Sequence, residues 1–448
     1  MSDFVRIPPD SSGKRMTTRY NPTLDVHTQG IHLVDRDNPT VTQRVDDNGA
    51  AFTRFTDGSP QFDSFGRMVS SQVKAAYTID FSCGCDPRDM SEFVANGGSW
   101  EVETAGGLRL STSTTNGSSV ALQTDEYFRY TAGFSTSYVF TMACGDAGKS
   151  GVVRKAGAFD PEDGVFYQID ENGLNVVIRN SIDTTERVIS QSSFNGDPVD
   201  GTGISGYTVD VTKDNIYWID YQWLGAGAVS FGMFINGEKI VLHREGHFNQ
   251  LNHSYMRSGS RPFRVEQTNT SATGSGSEFR LFCASVIVNS DAKPVLFDRN
   301  TPVTISETYN TAGDIHMLSI RPAQTNQAGL INRRKVGISE AMISGISTTS
   351  GVFMVKLIKN ATITGGVWEV QNGAVEINKT ATITDGVLVN QRIIKTDGDV
   401  MELIRAEEAP TIKRKADPTQ TETLSLVFER LRGDSIDVDA SFIIADGV

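Results

Sequence analysis

Six histidines, four cysteines and a few carboxylate-bearing turns are the side chains from which this chain could build chemistry. His243 and His247 stand four apart, the step that sets two imidazoles on one helix face for a metal ion. The residues before His243 alternate as a strand does, Gly246 breaks a helix, and Arg244 stands where a metalloprotease carries its glutamate. The pair reads as structural, and so do His27, His32, His253 and His316. Cys83-Gly84-Cys85 is a C-x-C whose partners, Cys144 and Cys283, lie too far away for a ribbon or finger pattern. Zinc would need all four to converge. Reduced thiols are the plainer reading, and a disulfide or redox role for Cys83, Cys85 and Cys144 stays open outside a reducing cytosol.

Asp160-Pro161-Glu162-Asp163-Gly164 gathers three carboxylates in one turn. Calcium favours such oxygens, yet the spacing is not an EF-hand, and Pro-x-Asp-Gly is an ordinary turn. Asp220, Glu245 and Glu266 are the acids nearest strong strands, but sequence does not fix the separation that glycoside hydrolysis demands. No nucleophile elbow, phosphate loop or dinucleotide fingerprint is present. No catalytic residue, metal ligand or cofactor is assigned. Tyr217, Trp218, Tyr221, Trp223 and Phe231 read mainly as core because they alternate within strands. A glycan-binding reading instead places its contacts in the loops holding Trp223, Asn249 and His253.

The elements that must carry these residues are strands. Leu108 to Ser113, Ser137 to Ala143, Gly164 to Ile169 and Leu174 to Arg179 all fit, with a hairpin corner at Asn172-Gly173. Ile216 to Trp223 carries large side chains on both faces and reads as a central, covered strand. A second hairpin turns at Asn236-Gly237, and strands at Phe263 to Gln267 and Phe279 to Val286 follow. Many strands, little helical period and two strong corners make residues 76–298 an antiparallel β-sandwich.

After a connector, Asn289 to Pro302, residues 299–448 read as a second, smaller β-sandwich. Its strands fall at Ile315 to Arg321, Phe353 to Lys359, Gly386 to Ile394, Leu424 to Leu431 and Ile436 to Ile444. Asn360-Ala361-Thr362-Ile363-Thr364-Gly365-Gly366-Val367 recurs as Thr380-Ala381-Thr382-Ile383-Thr384-Asp385-Gly386-Val387. One recurrence is too little for a solenoid and fits two symmetry-like edges of one sandwich. Residues 1–75, with Pro8-Pro9, Asn21-Pro22, Asn38-Pro39 and Ser59-Pro60, read as an extended anchoring arm. Its pieces at Gly30 to Val34 and Ala51 to Phe55 suit strand addition to another sheet.

Composition narrows the partners. With 448 residues the chain is long enough for about three units. Gly at 42 and Pro at 14 positions supply the many turns that strands require. The net charge of −13 argues against a phosphate-backbone binder. No Sec-type leader and no run of about 20 apolar residues is seen, so no membrane insertion is expected.

Several blocks resemble a module recurrent in tailed-bacteriophage virion proteins. They are Arg154 to Tyr167, Ile216 to Gly225 with the Asn236-Gly237 hairpin, Tyr255-Met256, and Pro262 to Glu266. His316 to Pro322 and Leu357 to Thr364 are similar to that module's second half, and Ile7 to Arg15 looks like openings of phage structural proteins. The resemblance spans residues 76–448 and is carried by the order of blocks. It implies a lectin-like jelly roll, a smaller β domain, and a non-enzymatic place on a virion made in the host cytoplasm: neck, collar, baseplate, fibre-type or capsid-decorating component. Other virion proteins and further copies of itself are the implied partners; the alternative readings are an adhesin that binds a host surface glycan and, beyond that, a polysaccharide depolymerase. The family carries no catalytic residues to transfer, and Cys83 and Cys85 depart from its pattern.

Overall fold

The computed structural model describes residues 4–5, 16–21, 26–30, 75–85, 90–104, 106–183, 185–288, 299–309, 313–326, 329, 331–346, 351–371, 373–395, 401–404, 411–417, 419–433 and 436–447. The chain divides into Met1–Gln61 and Phe62–Val448. In the first unit, Phe4–Val5, Met16–Asn21 and Val26–Gly30 pair as an antiparallel meander. The rest of the expected arm, with its pieces at 31–34 and 51–55, lies outside the described residues, as does 289–298 of the connector.

In the second unit, alternation in sequence becomes alternation in burial. Leu108–Thr112 buries every second side chain, and Thr136–Cys144 does so as far as Met142, as a strand with one core face must. Two antiparallel sheets result. One runs Thr185–Ser190, Gly173–Asn180, Gly164–Asp170, Val152–Phe159, Phe263–Asn269, Ser119–Thr124 and Met90–Ala95. The other runs Glu238–Gly246, Ala228–Ile235, Asn215–Tyr221, Thr136–Cys144, Ser277–Val288, Leu108–Thr112 and Ser99–Val102, and Ala75–Asp80 pairs onto Ser277–Val288. Side chains from both sheets fill one core, including Leu122, Tyr138, Phe140, Tyr167, Val176, Tyr217, Phe231 and Phe279. This is the expected lectin-like jelly roll.

Within it, Asn215–Tyr221 is central as expected, flanked by Thr136–Cys144 and Ala228–Ile235. Tyr217, Tyr221 and Phe231 are core residues. Trp218 is also buried, beneath the Lys239 ammonium 4.2 Å from its ring centre and against Gly232, which has no side chain to collide with it. Asn236 and Gly237 both take positive φ, 51° and 85°, the two-residue corner the sequence announced. At the other hairpin Asp170 pairs with Gly173, so the corner falls on Glu171-Asn172 and Gly173 takes the positive φ of 90°.

One buried ionic network links the sheets. Arg154, fully buried, binds Asp146 at 2.6 Å, Gln267 at 3.3 Å and the Glu278 carbonyl at 3.2 Å, and it also meets Ser277.

The second sandwich has the same logic. One sheet orders Arg299–Tyr309, Ile436–Gly447, Lys335–Ile346 and Met401–Ile404, with Thr411–Ile412 pairing onto Lys335–Ile346. The other orders Glu369–Gln371, Val375–Asn378, Gly313–Pro322, Leu424–Arg432, Val352–Lys359 and Val387–Lys395. Between them Leu318, Ile338, Phe353, Phe428 and Phe442 form the core. The repeated segments Thr362–Thr364 and Thr382–Thr384 pair with each other, Ile363 opposite Ile383. The strands that follow them, Glu369–Gln371 and Val387–Lys395, occupy opposite edges of one sheet. The repeat is thus a local twofold ribbon feeding two edges.

The sandwiches are joined by charge. Arg333 of the second enters the Asp160–Asp163 turn of the first, 2.7 Å from Asp160, 2.8 Å from Glu162 and 3.4 Å from Asp163. Arg261 adds a bond to Asp160 at 3.0 Å. Burial alone would raise the Asp160 carboxyl, but Arg333 and Arg261 hold it down at about 2. The carboxylates considered for calcium are therefore neutralised by guanidinium groups, and no cluster of three or more His, Cys, Asp or Glu side chains is placed to hold a metal among the described residues. Lys413 reaches Glu126 at 2.8 Å, Lys335 meets the same carboxylate, and Arg264 donates to the Ala416 carbonyl at 3.1 Å.

Candidate functional site

At one end of the jelly roll, the loop after Asn215–Tyr221 and the loop after Glu238–Gly246 lock into a platform. The Tyr255 amide donates to the Gly225 carbonyl at 3.0 Å, and its hydroxyl donates to the Gln222 carbonyl at 3.0 Å. The Trp223 indole N–H donates to the Met256 carbonyl at 2.9 Å, and the Trp223 ring meets Tyr130 edge to face. Gly259 packs against Tyr130 and Trp223 where a Cβ would clash. His247 stacks on Tyr255 with ring centres 4.1 Å apart. Its Nδ1 sits 2.9 Å from the Gly227 carbonyl, an acceptor, so Nδ1 carries the proton. Burial lowers the His247 pKa and favours the neutral ring.

Upon this base the loop tip Phe248-Asn249-Gln250-Leu251-Asn252 faces solvent. Phe248 is 86% exposed, Leu251 43%, and Leu224 of the neighbouring loop 55%. Leu224 and Asn249 hold positive φ of 37° and 56°. A left-handed leucine persists only where surrounding bonds dictate it, which marks the loop beside the tip as held in shape rather than relaxed. An exposed ring beside three amide side chains can stack on the C–H face of a pyranose while the amides pair with its hydroxyls.

Of the residues chosen from sequence for glycan contact, Asn249 lies on the tip. Trp223 and His253 lie beneath it. Trp223 is half-buried with its N–H already committed, and His253 is held by Asp183 at 2.9 Å and by the Ser254 carbonyl at 3.0 Å. They buttress the site. Phe248, which presents the ring, was not singled out, although an aromatic inside an amide-rich loop was there to be noticed.

The other candidates fall elsewhere. Glu266 pairs with Arg264 at 2.9 Å on one sheet. On the other sheet Asp220 faces Lys239 at 3.9 Å, and Glu245 pairs with Arg187 at 2.8 Å and His243 at 3.1 Å. The Asn195 amide donates to His243 Nδ1, so Nε2 is the nitrogen that donates to Glu245. These three acids do not converge. His243 is on a strand and His247 just past its end, so no helix aligns them.

Cys85, Cys144 and Cys283 are free thiols. Burial pushes the Cys85 and Cys144 thiols up to about 12, far from the thiolate that exchange chemistry needs. The Cys83 side chain lies outside the described residues.

No protein-family model and no curated protein matches the chain. Solved structures similar to part of it include an endo-β-1,4-glucuronan lyase from the fungus Trichoderma reesei, at 12% identity and TM-score 0.33, covering 48% of this chain and 95% of that one. The carbohydrate recognition domain of Emp47p has 12% identity and TM-score 0.32, over 49% of this chain and 99% of that one. Peanut lectin has 11% identity and TM-score 0.29, over 48% of this chain and 98% of that one. No residue role is carried over from any of them.

Proposed function

We propose that the chain is a non-enzymatic, glycan-contacting structural component of a tailed-phage virion, using the Phe248–Asn252 tip to touch a host surface polysaccharide. The observation that carries the glycan reading is Phe248, 86% exposed on a loop whose base is pinned by hydrogen bonds from Tyr255 and Trp223. A large exposed ring on a fixed frame loses little conformational entropy on binding. Action by contact rather than catalysis is supported by Asp220, Glu245 and Glu266, each tied to a cation and distributed over two sheets. The virion setting is supported by the ordered blocks at 154–167, 216–225, 255–256, 262–266, 316–322 and 357–364. Two sandwiches clamped by buried ion pairs suit a rigid exterior part whose partners are packed proteins, including further copies of itself.

The test is made on purified particles. Mass spectrometry should find the chain in them, and particles carrying Phe248→Ala should contain it in equal amount but adsorb to host cells about tenfold more slowly. Absence of the chain from particles would refute the virion setting. Unchanged adsorption by the variant would refute the role of the tip.

A further inference from the structure

A cavity lies where the two sandwiches meet, and the platform plays no part in it. It encloses about 630 Å³, within the range of small-molecule sites. Its walls include Glu92, Trp100 and Asp125 from the first sandwich and Lys415, Asp417 and Glu422 from the second. Four carboxylates and one ammonium line it, and Lys359 offsets Glu422 from behind the wall. Asp125 is 2% exposed, and its Oδ1 has no hydrogen-bond partner. A buried carboxylate oxygen left unpaired is costly, and a donor brought by a ligand would remove that cost. Glu422 differs: one oxygen takes Lys359 at 2.7 Å and the other the Lys413 amide at 3.1 Å. Trp100 donates its indole N–H to Glu92, fixing an aromatic ring beside the acids.

We propose that this cleft is a binding site for a small saccharide bearing a free ammonium group, an amino sugar, with Asp125 as its principal acceptor. The charge excess selects a cation, the ring offers a cation–π surface, and the unpartnered Oδ1 accepts from the ammonium. Uronic and sialic acids are excluded by the same carboxylates. The site works only as an ionised Asp125. Burial and then the neighbouring Glu422 push that carboxyl up to about 6, against a Ser91 hydrogen bond and the Lys413 and Lys359 charges. The cleft should therefore hold the cation more tightly at pH 7 than at pH 5.

Titration calorimetry of the full chain with glucosamine and with N-acetylglucosamine tests this. Glucosamine should bind at pH 7 and N-acetylglucosamine should not. Asp125→Asn should weaken glucosamine by about tenfold or more and flatten the pH dependence, with a melting temperature no lower than that of the unaltered chain. The exposed Glu92→Gln should weaken it less, giving a variant that does not disturb the buried wall. Phe248→Ala should leave glucosamine affinity untouched, which separates this site from the platform. Equal affinity for the two sugars, no binding of glucosamine at pH 7, or full affinity in Asp125→Asn would overturn the proposal.

Discussion

At the scale of single residues, position in the layers decides what a side chain can do. Trp218 shows this. Its neighbours Tyr217 and Ile219 enter the core between the sheets, while Trp218 is buried on the outer face by Lys239 and Gly232. Trp218→Ala should cost about 3–5 kcal/mol in urea unfolding, and a loss below about 1 kcal/mol would contradict its burial. Gly232→Ala should destabilise by about 1–3 kcal/mol, because its Cβ would fall 2.2 Å from the Trp218 ring and 2.1 Å from the Ile240 carbonyl. The core aromatics were legible in sequence because alternation within a strand fixes the face each occupies. The site was only partly legible. Trp223 and His253 have the right chemistry for sugar contact, but long-range bonds to Met256 and Asp183 turn them into supports. Local sequence cannot announce such bonds. Phe248 escaped notice because a single aromatic in a loop has no period to reveal it.

At the scale of elements, turns and strands were legible where local chemistry and packing agree. Asn236-Gly237 is a corner because both residues tolerate positive φ. Gly237→Ala should cost about 1 kcal/mol while leaving the core intact, measured as a lowered melting temperature with an unchanged near-ultraviolet spectrum. Lys335–Ile346 was missed although it spans 12 residues. Gly337, Glu340 and Gly345 interrupt its apolar pattern, and a bulge between Ile338 and Glu340 shifts its register. Arg299–Tyr309 was missed for a similar reason, since Pro302, Ser306 and Glu307 dilute the signal that its pairing with Ile436–Gly447 supplies. The repeat was visible, but its meaning was not. Only the fold shows that its two copies pair at Ile363 and Ile383 and then diverge to opposite edges.

At the scale of the whole second unit, the Asp160–Asp163 turn is a socket for Arg333, and that is why a turn suited to calcium is occupied by protein cations. The carboxyl of Asp160 is held at about 2 against an ordinary 3.8. Because its folded value is depressed, its contribution, about 2 kcal/mol, is complete above the ordinary carboxylate range and is lost as pH falls from about 4 to 2. Arg333→Ala should cost about 3–5 kcal/mol by stranding buried Asp160 with fewer partners, and it should move acid unfolding to higher pH, followed by circular dichroism. An acid profile identical to that of the unaltered chain would mean the sandwiches are held by other contacts.

The central claim, contact with glycan without cleavage, is tested most directly by electrophoresis of the purified chain through gels containing host surface polysaccharide, with release of reducing ends measured in parallel. The account predicts retardation that Phe248→Ala abolishes at unchanged melting temperature, and no new reducing ends. Retardation that survives Phe248→Ala, or reducing ends that accumulate with time, would contradict it.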